Sequence, residues 1–261
     1  MKREKEINAF VRLLDIMDEL RLKCPWDKEQ TNESLRPLTI EETYELSDAI
    51  LASDNINISK ELGDILLHIV FYAKIGQESG LFDITDVMNR ICDKLIYRHP
   101  HVFGEHTVKD SQDVIENWEK LKTKEKEGNK SVLSGVPASL PSLVKSYRIQ
   151  DKARAVGFDW SDKNEVWSKV KEEIAEFEDE LKKSGHSEKA EKEFGDIIFS
   201  LVNASRLYDI NPDTALEKTN LKFIARFNYM EQKIVESGKN ITSVNIDEMD
   251  KYWNEAKTVV G

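Results

Sequence analysis

The chain has 261 residues and a formal net charge of −11 at pH 7, from 49 acidic and 38 basic side chains. That length allows one large domain or two domains of about 130 residues each. The acidic excess argues against nucleic acids and anionic membranes as partners, because both are bound by basic faces. Only 11 Gly and 6 Pro occur, so strand-and-turn repeats and long disordered tracts are poor interpretations.

The cysteine content and the hydropathy of the chain indicate where the protein works. Cys24 and Cys92 are the only cysteines, which is too few for a disulfide framework and fits a reducing compartment. Residues 1–6 contain no apolar signal core, and no apolar run approaches the roughly 20 residues that cross a bilayer. We therefore expect a soluble cytoplasmic protein.

Helical periodicity runs through most of the chain. Apolar residues three and four apart predict helices at 7–20, 62–73, 86–97, 114–121, 143–155, 166–181, 194–205, 215–235 and 249–259. No segment shows the alternation of a strand. The polar stretch 122–131 and the turn-rich stretch 134–141 predict a linker. The sequence thus predicts an all-α protein with an N-terminal unit at 1–121, a linker at 122–141 and a C-terminal unit at 142–261.

An internal repeat relates the two halves. The pattern Glu42-x-x-Glu45 is followed by Glu61-Leu62-Gly63-Asp64, and Glu173-x-x-Glu176 is followed by Glu193-Phe194-Gly195-Asp196. The second acidic motif recurs at an offset of 132 residues, and the pair Lys94 and Arg98 recurs as Lys222 and Arg226. Two copies of one helical unit explain this spacing.

The paired acids suggest a site for cations. Residues three apart share one face of a helix, and each of the four acids in the second copy precedes an apolar residue: Ile174, Phe177, Phe194 or Ile197. The acids are therefore expected at the rim of the buried stripe. If the two helices pack antiparallel, four carboxylates converge and repel each other unless cations or protons neutralise them. Such oxygen ligands suit Mg²⁺ and phosphoryl chemistry.

The recurring glycines, Gly63 and Gly195, lie between the two acids of each second motif. Glycine inside a helix costs up to about 1 kcal/mol relative to alanine. Its recurrence predicts a close approach of another helix or of a ligand, with plain packing as the alternative.

Together these motifs resemble the MazG family of all-α nucleoside triphosphate pyrophosphohydrolases. The resemblance covers nearly the whole chain and includes several further motifs: Cys24-Pro25-Trp26-Asp27, Glu41-Glu42-x-Tyr44-Glu45, Arg98-His99-Pro100-His101-Val102-Phe103-Gly104, Gly135-Val136-Pro137 and Val156-Gly157-Phe158-Asp159-Trp160. It implies two tandem helical-bundle repeats in a homodimer. It also implies Mg²⁺-dependent hydrolysis of nucleoside triphosphates, ATP among them, with water attacking the α-phosphorus to give the monophosphate and pyrophosphate.

The resemblance also assigns roles to residues. The catalytic metal ligands of the second repeat would be Glu173, Glu176, Glu193 and Asp196, and their equivalents in the first repeat would be Glu42, Glu45, Glu61 and Asp64. Candidate substrate-binding residues are Glu172, Lys189, Lys192, Lys222, Arg226 and, as a base-stacking side chain, Trp253. The second repeat is the one usually credited with activity, so we expect the first repeat to be chiefly structural or regulatory.

Two alternatives compete with this interpretation. A di-iron carboxylate bundle normally carries Glu-x-x-His motifs, but Asp64 and Asp196 stand at the second positions here. A non-catalytic helical interaction or regulatory module would use the acids only as a solvated surface. Titration with Mg²⁺ in the presence of a nucleotide distinguishes this module from an enzyme.

Overall fold

The computed structural model describes residues 2–105, 107–110, 113–114, 118, 121, 131–160 and 162–260. Its contacts divide the chain into two compact units, Met1–Thr107 (unit 1) and Val108–Gly261 (unit 2). The described residues contain no strand, which confirms the all-α prediction. Residues 122–130 of the predicted linker (122–141) and most of the predicted helix at 114–121 lie outside the described residues, so the predicted domain boundaries stay a prediction.

Unit 1 consists of helices joined by short turns. They are α1 (Glu4–Lys23), α2 (Pro25–Glu29), α3 (Asn32–Leu51), α4 (Asn55–Glu78), α5 (Ile84–Arg98) and α6 (Pro100–Phe103). Helix α3 packs along α4, and α1 packs on α4 as well. The core contains Met17, Leu35, Val70 and Phe71, so the three longest helices meet around it.

Unit 2 contains a hairpin of two long helices, as unit 1 does with α3 and α4. Its elements are α7 (Ser142–Arg154), α8 (Lys163–Ser184), α9 (Glu188–Leu207), α10 (Pro212–Glu236), a 3₁₀ turn (Ile241–Ser243) and α11 (Ile246–Val259). Helix α8 packs along α9, whereas α10 packs mainly on α11. Val166 and Val170 of α8 are buried against Ala204 of α9, which fixes the α8–α9 pair.

Side-chain caps define where the acid-bearing helices begin. Thr31 caps α3 through a reciprocal pair of hydrogen bonds with Ser34. Asp54 accepts hydrogen bonds from the backbone N–H groups of Ile56 and Asn57 at the start of α4, and Ser187 accepts one from Ala190 at the start of α9. Such caps satisfy the free N–H groups of the first turn and fix the register of the acids that follow.

The turn between the two helices of each hairpin contains a residue with a left-handed backbone conformation. Ser53, between α3 and α4, has φ of 55°, and Gly185, between α8 and α9, has φ of 61°. The two residues are 132 positions apart, the same offset as the second acidic motif. The left-handed conformation is easy for glycine and costly for serine. The internal repeat is therefore visible in the backbone as well as in the sequence.

The second helix of each hairpin carries apolar residues on two faces. Val70 and Ala73 of α4 are buried, yet Leu62, Leu66 and Ile69 are exposed. On α9, Phe194, Ile198 and Leu201 occupy the equivalent positions and are exposed too. The predicted apolar stripes are thus only partly buried within each unit, because the helices packed on α4 and α9 cover one face and leave the other exposed. No helix of the described residues is long and apolar enough to cross a membrane.

Candidate functional site

An acidic cluster lies between α8 and α9 of unit 2. One carboxylate oxygen from each of Glu173, Glu193 and Asp196 lies within 4.8 Å of the other two. Glu176, one turn further along α8, is exposed and falls outside this group. The structure thus brings three of the four predicted ligands together.

Unit 1 holds an equivalent cluster between α3 and α4. Here the oxygens of Glu42, Glu45 and Glu61 lie within 4.8 Å of one another, and Asp64 falls outside the group. Asp64 is still close enough to act on Glu42 electrostatically. Both repeats therefore gather carboxylates from two helices, as the spacing predicts, but each omits a different fourth acid.

The rim position that we expect for the acids of the second copy is wrong for Glu173, and one acid of unit 1 is buried in the same way. Glu173 is only 7% exposed, whereas the following Ile174 is 39% exposed. Likewise Glu61 is 4% exposed and Leu62 is 52% exposed. The reason is that the acids lie at the seam between two packed helices, so the seam covers them while the apolar neighbour points outward.

A lysine neutralises the buried acid of each cluster. In unit 2, Nζ of Lys169 lies 2.8 Å from an oxygen of Glu173. In unit 1, Nζ of Lys60 lies 3.0 Å from an oxygen of Glu61. Removing a carboxylate from water is unfavourable without such a partner. The two lysines differ in position, since Lys169 precedes the first acid pair and Lys60 precedes the second.

The charges of the clusters act on the titration of nearby groups. Burial, and then the like charges of Asp64 and Glu45, raise the pKa of Glu42. Hydrogen bonds to Glu173 and then to Glu172 raise the pKa of Lys169, and a hydrogen bond to Glu61 raises the pKa of Lys60. The clusters are therefore strongly negative sites that retain nearby cations.

The geometry fits a hard divalent cation. Carboxylate oxygens from two helices converge within a few ångströms, and such oxygens are the ligands that Mg²⁺ prefers. In unit 1, Oε2 of Glu61 is buried and has no hydrogen-bond partner in the part of the chain that the structure describes. A buried carboxylate oxygen without a partner is unfavourable, and a bound cation would satisfy it.

Three of the predicted substrate-binding residues already have ion-pair partners beside the cluster of unit 2. Glu172 lies 3.0 Å from Nζ of Lys169. Lys189 contacts Glu180 at 2.9 Å, and Lys192 contacts Glu188 at 2.8 Å. Lys189 also responds to the charges of Glu193 and Glu176, so it lies in the field of the cluster although its ion pair is with another acid.

The other three predicted substrate-binding residues lie on α10 and α11. Lys222 is exposed, and Arg226 is half-buried one turn further along α10. Trp253 of α11 is half-buried and packs against Phe223, with ring centroids 5.1 Å apart. Phe223 in turn stacks near Phe227 at 6.2 Å. Lys222 and Arg226 are therefore adjacent in sequence to Phe223 and Phe227, the two members of an aromatic patch that α10 contributes.

Sequence reasoning missed two residues of this neighbourhood. Lys169 stands four positions before Glu173, and the i, i+4 spacing of a helix ion pair was the available signal. Phe223 directly follows the predicted Lys222, but a single aromatic residue in a helical pattern is ordinarily part of a core. Only the contact with Trp253 identifies Phe223 as part of an exposed patch.

The prediction that another helix approaches the repeated glycines closely is wrong for the described residues, and the alternative of a ligand stays a prediction. No heavy atom lies within 4 Å of the position that a Cβ would take at Gly63 or Gly195. Both glycines are exposed, because they lie on the outward side of the helices that carry the acids. The packing within each unit therefore does not require glycine there.

Comparison with known proteins identifies the family. The model of the MazG nucleotide pyrophosphohydrolase domain matches residues 30–103, which span α3 to α6 of unit 1 and contain all four acids of the first repeat.

Several full-length relatives match nearly the whole chain. A protein of Escherichia coli K12 named nucleoside triphosphate pyrophosphohydrolase is 41% identical over 257 residues, covering 96% of this chain and 98% of its own length. One of Thermotoga maritima named nucleoside triphosphate pyrophosphohydrolase/pyrophosphatase MazG is 42% identical over 252 residues, or 95% of each chain. YabN of Bacillus subtilis, an uncharacterised protein, is 45% identical over 98% of this chain and 53% of its own length. The chain therefore belongs to the MazG family of nucleotide pyrophosphohydrolases.

Proposed function

We propose that this protein hydrolyses nucleoside triphosphates to nucleoside monophosphates and pyrophosphate in a reaction that depends on Mg²⁺. The observation that carries the proposal is the convergence of carboxylates from two neighbouring helices, found once in each repeat. The similarity to relatives named nucleoside triphosphate pyrophosphohydrolase over nearly the full chain supports the same activity.

The acids of unit 2 would hold the metal. Glu173, Glu193 and Asp196 form the inner group, and a modest rotamer change would bring the exposed Glu176 to the same ions. Bound Mg²⁺ supplies charge neutralisation for the phosphates and lowers the pKa of water. The carboxylates would fix the position of the cations, and Lys169 holds Glu173 in place through its ion pair.

Attack at the α-phosphorus needs positioning more than covalent chemistry. Lys222 and Arg226, one turn apart on α10, would bind phosphate oxygens as they leave with pyrophosphate. Lys189 and Lys192 would act in the same way after exchanging their present acidic partners, Glu180 and Glu188, for phosphate. Glu172 keeps Lys169 oriented, and the face of Trp253 would stack on the base, a contact worth roughly 1–3 kcal/mol.

A homodimer is the second part of the proposal. The apolar residues Phe194, Ile198 and Leu201 share one face of α9 and stay 40–50% exposed within unit 2, although Phe194 also contacts Phe177 of α8. A face of this kind marks an interface in a soluble protein, and a second copy of the chain would cover it. Light scattering should report twice the chain mass of 30.1 kDa, and Ile198→Lys should reduce it to the monomer mass.

The first repeat is proposed to be chiefly structural or regulatory. It keeps its four acids, so metal binding is expected, but Leu38 and Asn57 stand where Lys169 and Lys189 stand in unit 2. Fewer lysine side chains around the acids leave fewer contacts for the phosphates of a nucleoside triphosphate. Unit 1 is therefore expected to bind metal without contributing most of the turnover.

The cysteines and the net charge of the chain bear on its compartment and its partners. Free Cys24 and Cys92 fit a reducing cytoplasm. The net charge of −11 disfavours nucleic acid as a partner. The ligands we propose are therefore nucleoside triphosphates, with ATP among them, and their metal ions.

The direct test incubates the protein with a panel of ribo- and deoxyribonucleoside triphosphates and Mg²⁺ in H₂¹⁸O. We expect monophosphate and pyrophosphate as products, with the label in the monophosphate, because water attacks the α-phosphorus. Label in pyrophosphate, or orthophosphate as the first product, would overturn the proposed chemistry. No turnover and no Mg²⁺-dependent heat with any nucleotide would support a non-catalytic interaction module instead.

A further inference from the structure

A cavity of unit 2 lies outside the acidic cluster. It encloses about 500 Å³ between α7, the loop that follows α7, and the second half of α9. None of the candidate metal ligands lines it. Its volume lies in the range of pockets that hold small organic molecules.

Three aromatic side chains line the cavity. Phe158 and Trp160 come from the loop after α7, and Phe199 comes from α9. Phe158 is 82% exposed, which is unusual for so large an apolar side chain. Flat aromatic faces around an open cavity suit a planar ring, since ring stacking favours offset and edge-to-face contacts.

Two buried polar side chains also line the cavity, and each has an atom without a partner. Gln150 donates from Nε2 to the backbone oxygen of Phe199 at 2.8 Å, but its Oε1 has no hydrogen bond to any residue that the structure describes. Arg206 donates to Asp159 at 2.9 Å and to Asn203 at 2.8 Å, but its Nε has no partner among the described residues either. Both side chains are more than nine-tenths buried. Buried polar atoms in proteins normally have partners, so this wall offers one free acceptor and one free donor.

The charges at this wall cancel. Burial opposes the ionisation of Asp159, but hydrogen bonds from Arg206 and from the backbone N–H of Trp160 outweigh it and keep the pKa of Asp159 below its ordinary value. The carboxylate therefore neutralises the guanidinium. An anionic ligand such as a phosphate gains little here, whereas a neutral ligand loses nothing.

We propose that this cavity binds a neutral planar heterocycle whose edge carries a hydrogen-bond donor next to an acceptor, the pattern of a nucleobase. The ring would lie among Phe158, Trp160 and Phe199, and its edge would pair with Gln150 and Arg206. Both atoms are inaccessible to solvent, so binding includes a shift of the side chains that cover them. The proposal does not rest on the proposed hydrolysis, because no candidate metal ligand takes part.

The test uses nucleosides, which lack phosphates, and the full-length protein without metal. Saturation-transfer NMR should detect binding of uridine at millimolar concentration. Phe158→Ala should weaken it at least about fivefold, as expected for the loss of one stacking face. Because Phe158 is highly exposed, its substitution should leave the fold intact, and circular dichroism checks this. Trp26→Ala, at an exposed aromatic side chain of unit 1 that does not line the cavity, is the matched control and should leave the affinity unchanged.

Chemical variation of the ligand tests the polar wall separately. Methylation at N3 removes the donor of uridine, so 3-methyluridine should bind at least about fivefold more weakly than uridine. Equal binding of the two nucleosides would contradict the role of Gln150 and Arg206. Loss of binding in Trp253→Ala with retention in Phe158→Ala would move the ligand to the other aromatic patch and overturn the proposal. Absence of binding for all nucleosides would overturn it as well.

Discussion

The two units solve the same electrostatic problem with different residues. In unit 1 the buried acid is Glu61, on the second helix of the hairpin, and in unit 2 it is Glu173, on the first. Each buried acid is the one that contacts a lysine, Lys60 in unit 1 and Lys169 in unit 2. The acid that is buried therefore differs between the repeats, and the lysine that pairs with it differs in the same way.

Two substitutions between the repeats account for this difference. Leu38 replaces Lys169, so unit 1 has no lysine to pair with the first acid pair from that position. Ile56 stands where unit 2 has Glu188, which binds Lys192 and draws it away from Glu193. Without such a glutamate, Lys60 is available to Glu61. Both repeats therefore keep the acids but place their lysines differently. This difference supports the expectation that the two repeats differ in activity.

The largest effect is expected from removing a metal ligand in unit 2. Glu193→Ala should lower turnover by at least about 10²–10³-fold, because the cations that offset the phosphate charge would lose a ligand. The matched change in unit 1 is Glu61→Ala, for which we expect a much smaller loss. Steady-state kinetics on both variants, with circular dichroism to check helicity, measures the difference. Equal losses would reject the asymmetry between the repeats.

The lysine that distinguishes unit 2 should have the next largest effect. Lys169→Met keeps the length of the side chain but removes the partner of Glu173, so we expect turnover to fall about 10–100-fold, as for other groups that orient metal ligands. Lys171→Met, at an exposed neighbouring position, is the control and should be neutral. A neutral Lys169→Met would show that Glu173 needs no fixed partner.

The self-repulsion of the acids in unit 1 should appear as a pH dependence of stability. The raised pKa of Glu42 means that the folded state favours its protonated form. The stability gained in this way is present below the ordinary value of 4.5 and is lost as the pH rises through the raised pKa. In the presence of EDTA, Glu42→Gln should therefore unfold about 2–8 °C higher than the original protein at neutral pH.

Thermal melts at several pH values check this expectation. The gain in Glu42→Gln should shrink toward acid pH, where Glu42 is protonated in both states. Glu41→Gln, at the exposed neighbouring position, controls for the change in net charge. A gain of the same size at every pH would mean that repulsion among the acids is not its cause.

The smallest effect concerns the turns between the paired helices. Ser53→Gly should stabilise unit 1 by about 0.5–1 kcal/mol, since glycine avoids the left-handed penalty but loses more backbone entropy on folding. Gly185→Ser should destabilise unit 2 by a similar amount. Urea unfolding of both variants measures the change, and a loss of stability in Ser53→Gly would show that the serine side chain compensates for its backbone.

Most of the helices could be predicted from the sequence because their apolar residues repeat at helical spacing. Helix α3 gave no such stripe. It carries Pro37 and buries only Leu35 and Ala49, so its position rests on the caps and on the pairing of Glu42 with Glu45. The convergence of the acids was also predictable, because residues three apart share one face of a helix and the same pairs occur in both repeats.

The details of the clusters could not be predicted. Which acid is buried depends on how two helices meet along their seam, and the sequence places Glu173 and Glu193 in the same way relative to their apolar neighbours. The open space at Gly63 and Gly195 has the same origin, because a repeated glycine does not tell which side of the helix faces a neighbour. Tertiary packing decides both.

Two sets of carboxylates in one chain are proposed to hold divalent cations. Electron paramagnetic resonance of Mn²⁺, titrated into the protein in place of Mg²⁺, counts the bound ions directly. We predict binding at both units, with Glu193→Ala removing the ions of unit 2 only and Glu61→Ala removing those of unit 1 only. An unchanged signal of free Mn²⁺ with the original protein, or bound ions that neither substitution removes, would contradict the account.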